Sequence, residues 1–437
     1  MESNFSHIIL IALSAGIMLK ACNPPSQPMD ENFLFGDTLP DAPELAVRGS
    51  YRVGVKTIDL LDRGRPNILQ FKDGVSPDYD RPLKVEIWYP AVIPDSEIEI
   101  EVYHHVLGLF GHEDRPLTPI TFKGRALRNA DADRSDGEYP LVILSHGYPG
   151  SRLIFTYLSE NLASKGYVVA SIDHTDSTYL DAGPFQSTLI NRSLDQLFAL
   201  DELERLSKQG SGSFLSGLVD TSNTGIAGYS MGGYGVLNAA GAGYSDEYVE
   251  AFKAITEGSD ALATRGIRSE AYRNSLDARI KAIIAFAPWG MEKGAWDSDG
   301  LAGLTIPTLL IAGSQDDVSG YEKGVRAIYE GAVNADRYLL TYVNARHNVA
   351  PIPPPPETLN QNLSLIEYLR YADPVWDERK INNINQHFVT AFFGIHLKNN
   401  LAHQEYLNVS EDANDGTWKG FKPRTATGVE MRHANAK

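Results

Sequence analysis

The sequence predicts one large α/β domain on a mostly parallel, doubly wound sheet, with a helical cap inserted after the central strand. Three observations carry this. Short continuous apolar runs recur from residue 140 onward, the mark of strands buried on both faces. Segments with apolar residues at helical spacing separate these runs, and such alternation puts helices over both faces of the sheet. The chain has 437 residues, 43% apolar and 22% charged, a globular composition whose single large core needs no disulfide staples.

The first element is an apolar stretch at residues 8–19, followed by Leu19-Lys20-Ala21-Cys22. It is too short to span a bilayer and suits the core of a signal peptide. The tetrapeptide resembles a bacterial lipobox, although Lys20 is unusual there and residues 1–7 hold Glu2 and no Lys or Arg. Residues 1–21 are therefore expected to be a lipoprotein signal peptide, with Cys22 the lipidation site. The expected location is the cell envelope, lipid-anchored on the outer membrane, with plain secretion as the alternative. Cys22 is the only cysteine, so the chain forms no internal disulfide. Residues 22–47 are Pro-rich and polar, as a tether would be, and the folded domain is expected over 48–437.

Two leading strands are expected at residues 52–61 and 83–90, with turn-rich sequence between them. The buried-strand grammar then begins with Leu141-Val142-Ile143-Leu144. A helix carrying Phe155, Leu158 and Leu162 follows, then a strand at 167–172 and a helix at about 190–208. Ile226-Ala227 leads into Gly228, where a strand gives way to a helix near Ser230. Residues 242–279 read as the cap insertion. Further strands are expected at 282–286, 308–312 and 338–343, with a last helix near 381–400 and a polar tail after Ser410 that wraps the domain.

Charge excludes one class of partner. Lys plus Arg number 39 and Asp plus Glu 56, a net charge of −17, and no local basic stripe offsets it. Such a surface repels phosphate backbones, so nucleic acid is not an expected partner.

Gly228-Tyr229-Ser230-Met231-Gly232-Gly233 matches G-x-S-x-G, the strand-to-helix turn that exposes a nucleophile. It follows a buried strand and precedes a helix rich in small residues, which is the context the motif requires. A serine hydroxyl needs a base to take its proton and an acid to fix that base's tautomer, in the chain order Ser, Asp or Glu, His. Of the histidines after Ser230, His347 alone follows directly on a predicted strand. Two adjacent carboxylates, Asp316 and Asp317, stand at the end of the preceding strand. The spacing from Gly313 favours Asp316, and Asp317 stays open as the alternative. Two backbone N–H groups should hold the oxyanion. Met231 follows the nucleophile, and Tyr148 lies in the loop after the 141–144 strand, where Pro149 has no N–H to give. His146 precedes the nucleophile and reads as structural. His104-His105 and the aspartate pair lack metal-site spacing, so no metal is expected. Pro353 to Pro356 should form a stiff segment soon after His347.

The run Leu144 to Arg152, the stretch Leu162 to His174 and the Ser230 turn resemble the bacterial dienelactone hydrolase-like proteins. That group is similar in turn to platelet-activating-factor acetylhydrolases and cutinase-like polyester hydrolases. The resemblance implies an α/β-hydrolase fold and serine ester hydrolysis through an acyl-enzyme without a cofactor. It further implies that Trp289, in Ala287-Pro288-Trp289, lines the substrate cleft, with a Trp that caps the core as the alternative. Dienelactone hydrolases proper use a cysteine nucleophile, whereas Ser230 stands here. The expected partners are a small or polymeric ester and a lipid anchor, with the oligomeric state open. The competing readings are a peptidase on the same fold and a non-catalytic surface-binding lipoprotein.

Overall fold

A computed structural model describes residues 34–109 and 116–437. Strands β1 (Arg52–Pro66) and β2 (Asp78–Val92) pair antiparallel, Arg52 opposite Ala91 and Lys56 opposite Ile87. Strands β3 (Glu101–Leu107) and β4 (Thr118–Gly124) form a separate two-stranded sheet. The short β5 (Leu127–Arg128) and β6 (Asp131–Ala132) add to β1 and β2. The alternating part then runs β7 (Tyr139–Ser145), α1 (Thr156–Ser164), β8 (Val168–Asp173), α2 (Phe185–Ser207), β9 (Val219–Tyr229) and α3 (Met231–Ala239). Helices α4 (Asp246–Ile255) and α5 (Glu270–Asn274) precede β10 (Ile280–Phe286). After these come α6 (Ser298–Ala302), β11 (Thr308–Gly313), α7 (Arg326–Gly331) and β12 (Arg337–Tyr342). The C-terminal part holds α8 (Leu365–Leu369), α9 (Glu378–Lys398) and β13 (Val429–Ala434).

The main sheet has the order β13-β12-β11-β10-β9-β7-β8-β2-β1-β5, with β6 beside β2. From β8 to β12 every pairing is parallel, and β2 and β13 add antiparallel at either side. Alternate residues of β7 serve opposite faces. Val142 and Leu144 pack toward α1 and α9, while Leu141 and Ile143 pack toward α2 and α3. That double burial is why the strand reads as an unbroken apolar run. Strand order reverses about β7, since β8 lies on one side of it and β9 on the other. In open α/β sheets ligands bind outside the carboxyl ends of the strands at such a switch.

Three differences from the sequence reading concern the edges of the fold. Residues 34–47, expected as tether, belong to the domain. Leu34 and Ala46 are buried, and the N–H groups of Leu39 and Leu45 donate to Asn383 and His387 of α9. Irregular Pro-rich chain packs this way when a neighbouring helix supplies polar acceptors. The expected signal peptide and Cys22 lie outside the described residues. The tail does more than wrap, because Val429–Ala434 extends the sheet as β13. Third, the insertion at 242–279 stacks Tyr244 on Tyr234 of α3, with ring centres 5.1 Å apart, and Tyr244 and Tyr234 both pack near Trp296. It braces α3 through these ring contacts.

Candidate active site

Ser230 sits between β9 and α3 at φ 53° and ψ −113°, a conformation that costs a side-chain-bearing residue about 1–3 kcal/mol. Surrounding hydrogen bonds hold it there. Its N–H donates to Phe286 at 2.8 Å, and its carbonyl accepts from Tyr234 at 3.0 Å and Trp289 at 3.1 Å. The flanking glycines are steric requirements. A Cβ on Gly228 would stand 2.3 Å from the Gly232 carbonyl carbon, and one on Gly232 would stand 2.0 Å from the Ser145 oxygen.

His347 follows β12, and its Nδ1 lies 3.0 Å from each oxygen of Asp316. Its ring packs on Tyr229, with centres 5.1 Å apart. Asp316 Oδ1 also accepts the N–H groups of Val318 and Ser319, each at 2.9 Å. Burial by itself would raise the Asp316 carboxyl. The His347 contact and these N–H groups outweigh burial and hold it below the usual carboxylate range. Asp317 points elsewhere, pairing with Arg346 where both side chains are exposed. The turn therefore brings Asp316 to His347 and leaves Asp317 at the surface.

Ser230 and His347 both line a cleft of about 570 Å³, with Gly147, Tyr148 and Tyr229. Met231 opens α3, so its N–H belongs to the first turn, where no intrahelical acceptor exists. The Tyr148 hydroxyl donates to the Gly183 carbonyl at 2.6 Å. Among the described residues no group of three His, Cys, Asp or Glu is placed to hold a metal ion.

Trp289 is not among the residues lining the cleft. Its ring stands edge-on to Phe185 at 5.3 Å, and Phe185 stands edge-on to Tyr148 at 5.0 Å. The structure thus places Trp289 one ring behind Tyr148 of the cleft wall. No residue of 242–279 is among those lining the cleft either. The outer wall comes instead from α8 and the segment after it, with Ile366, Leu369, Arg370 and Ala372. Asn348 ties this wall to the site, since its Oδ1 accepts from the Tyr229 hydroxyl at 2.6 Å and its amide donates to the Leu369 and Ala372 carbonyls.

A buried Ser-His-Asp array escaped sequence reading. His174 Nε2 lies 2.8 Å from Ser145 Oγ, and its Nδ1 lies 3.0 Å from Asp195. All three are buried, so no substrate reaches them. Burial holds the His174 ring well down, at about 3, and neutral. Burial would raise the Asp195 carboxyl, but Arg81 at 2.8 Å and the His174 contact hold it far below its ordinary range. Histidine at a strand end and aspartate within a helix carry no joint pattern, which is why sequence does not reveal the array.

Residues 129–250 match the family model described as PET hydrolase-like. A cutinase of Thermobifida alba is 24% identical over 215 residues, covering 49% of this chain and 55% of that protein. A bis(hydroxyethyl) terephthalate hydrolase of Streptomyces coelicolor is 26% identical over 214 residues, covering 49% and 52%. The chain thus spans about half the length of the curated relatives it matches. A solved ferulic acid esterase from Streptomyces cinnamoneus superposes with a TM-score of 0.54 at 20% identity, covering 89% of this chain and 99% of that one. The fold is the α/β-hydrolase fold, and the chain is similar to the cutinase-like polyester hydrolases.

Proposed function

We propose that this α/β-hydrolase is a serine hydrolase of carboxylic esters that works through an acyl-enzyme. The observation that carries the reading is His347 Nδ1 held 3.0 Å from both oxygens of Asp316, in the cleft that Ser230 also lines. With Nδ1–H committed to Asp316, the basic lone pair of His347 is on Nε2. That nitrogen takes the Ser230 proton as Oγ attacks the ester carbonyl. Charge developing on the carbonyl oxygen is met by the N–H groups of Met231 and Tyr148, each worth about 3 kcal/mol of barrier. His347 then protonates the leaving alcohol, and a water activated by the same nitrogen releases the acid.

Relatives named for cutinase, terephthalate-ester and ferulic acid ester hydrolysis support the ester class over the peptidase. A retained positive φ at Ser230 speaks against a retired, purely binding protein, because that strain has no use without a nucleophile. The lipid anchor at Cys22 belongs to the same proposal. No helix among the described residues is long and apolar enough to cross a membrane.

A panel of 4-nitrophenyl esters from acetate to palmitate, with a peptide anilide as control, tests the reading. Ester turnover that disappears in Ser230→Ala is the expected result. Anilide turnover that exceeds ester turnover would make the protein a peptidase.

A further inference from the structure

The charged groups of the cleft are not alike. Asp317 and Arg346 pair with each other at its rim, and Asp316 is committed to His347. Arg370, at the C-terminus of α8, is different. It is half-buried in the cleft wall, with its guanidinium 5.1 Å from the centre of the Tyr179 ring, and Tyr179 lines the same cleft. Its Nε is buried without a hydrogen-bond partner. Among the described residues no carboxylate, carbonyl or hydroxyl oxygen takes any of its N–H groups. Every other buried or half-buried arginine among them donates to, or ion-pairs with, an oxygen.

A buried Nε–H without an acceptor is unfavourable, because it loses water and gains nothing. Stacking on Tyr179 fixes its plane. The two terminal nitrogens are not buried in this way, and their paired N–H groups fit the two oxygens of a carboxylate better than one neutral carbonyl. The rest of this wall is apolar, with Ile154, Ile366 and Leu369, and suits a hydrocarbon or aryl spacer. A protein of net charge −17 repels anions at long range, so a cation that recruits one must stand within the cleft itself.

We propose that the cleft selects esters bearing a free carboxylate, and that Arg370 is the group that holds it. The inference rests on the ester-hydrolase reading of this cleft. The scissile bond is still the acyl C–O bond, cleaved by Ser230 and then water. The carboxylate on Arg370 takes no part in the proton transfers. Arg370 thus determines which half-esters are cleaved and leaves the bond-breaking steps to the other groups.

The test compares matched pairs. On the acyl side these are mono-4-nitrophenyl adipate and suberate against 4-nitrophenyl hexanoate and octanoate. On the alcohol side they are 4-carboxyphenyl hexanoate against phenyl hexanoate. Wild type is expected to prefer the carboxylate member in at least one series. Arg370→Gln should lower that ratio of kcat/KM about tenfold or more, chiefly through KM, and Arg370→Lys should fall between, keeping charge without the fork. Melting curves establish that both variants are folded. If wild type cleaves the neutral esters but Arg370→Gln leaves the ratio unchanged, or lowers both members equally, Arg370 is not a carboxylate site and the ester-hydrolase reading survives. If folded wild type cleaves no ester of either kind, that reading itself is wrong.

Discussion

His146 Nδ1 lies 2.6 Å from the carbonyl oxygen of Gly147, and the rest of the ring fixes which atom carries the proton. His146 Nε2 accepts the N–H of His174 at 3.2 Å, so Nδ1 bears the hydrogen and donates. Burial, with Arg192 and His174 nearby, holds the ring far below its ordinary range and therefore neutral. The Gly147 carbonyl and the Tyr148 N–H belong to one planar peptide. Pinning the oxygen on one side aims the N–H on the other.

The first prediction follows from that geometry. His146→Leu should lower kcat with KM little changed, because the lost aim matters only when the oxyanion forms. His146→Asn, whose amide nitrogen overlays Nδ1, should recover much of the loss. An ester and its thionoester separate this role from general loosening, since sulfur is a poor acceptor for oxyanion donors. The ester-to-thionoester rate ratio should fall in His146→Leu. A uniform loss on both substrates would assign His146 to packing alone.

At the elbow, strain and chemistry should separate. Ser230→Ala is expected to abolish ester turnover with little change in melting temperature. Ser230→Gly should also be inactive, yet more stable by about 1 kcal/mol, because glycine adopts φ 53° without side-chain strain. Calorimetry on the two variants measures this. A glycine variant less stable than the alanine one would mean that the turn holds no releasable strain.

The two adjacent aspartates give the third prediction. Asp316→Asn should reduce kcat by about four orders of magnitude, through loss of the His347 tautomer. Asp317→Asn removes an exposed pair with Arg346, and exposed pairs contribute at most about 1 kcal/mol. Its kcat should stay within about threefold of wild type. The reverse pattern would transfer the role to Asp317.

That pair also shows where sequence stops. Ser230 was legible because its turn is local, and Gly228 and Gly232 are required by contacts under 2.5 Å. His347 was legible because it closes a strand whose apolar run is unmistakable. Asp316 and Asp317 are chemically identical, and only the turn that gives Asp316 Oδ1 the N–H groups of Val318 and Ser319 separates them. The α8 wall was illegible, since Arg370 and Tyr179 meet from segments nearly two hundred residues apart and no periodicity links them. Residues 242–279 misled for a related reason. Helix α4 shows an amphipathic pattern, and such a pattern does not say which neighbour the apolar face meets.

A pH effect is expected away from the cleft. Burial raises the Glu160 carboxyl to about 7, although Arg48, the Arg125 N–H and the Tyr103 hydroxyl all favour its charged form. The unfolded chain titrates this group near 4.5, so the folded state binds its proton more tightly. The resulting stabilisation is fully present below pH 4.5, declines as pH rises, and is gone above about 7. The span is about 3 kcal/mol. Denaturation midpoints of wild type should fall between pH 4.5 and about 7 more steeply than those of Glu160→Gln. Parallel slopes would show that Glu160 is ionised throughout.

The last prediction concerns the N-terminus. If Cys22 is acylated, the full chain made in a Gram-negative host should fractionate with membranes and extract into detergent. Each buried acyl methylene contributes about 0.8 kcal/mol, so two or more chains outweigh the solubility of an acidic domain. Cys22→Ser should release the protein or leave its precursor uncut. Asn23 follows the cysteine in place of the aspartate that commonly keeps lipoproteins on the inner membrane, so sucrose-gradient fractions should show the outer one. Wild type and Cys22→Ser that fractionate alike, both soluble and processed, would make the protein a secreted enzyme without an anchor.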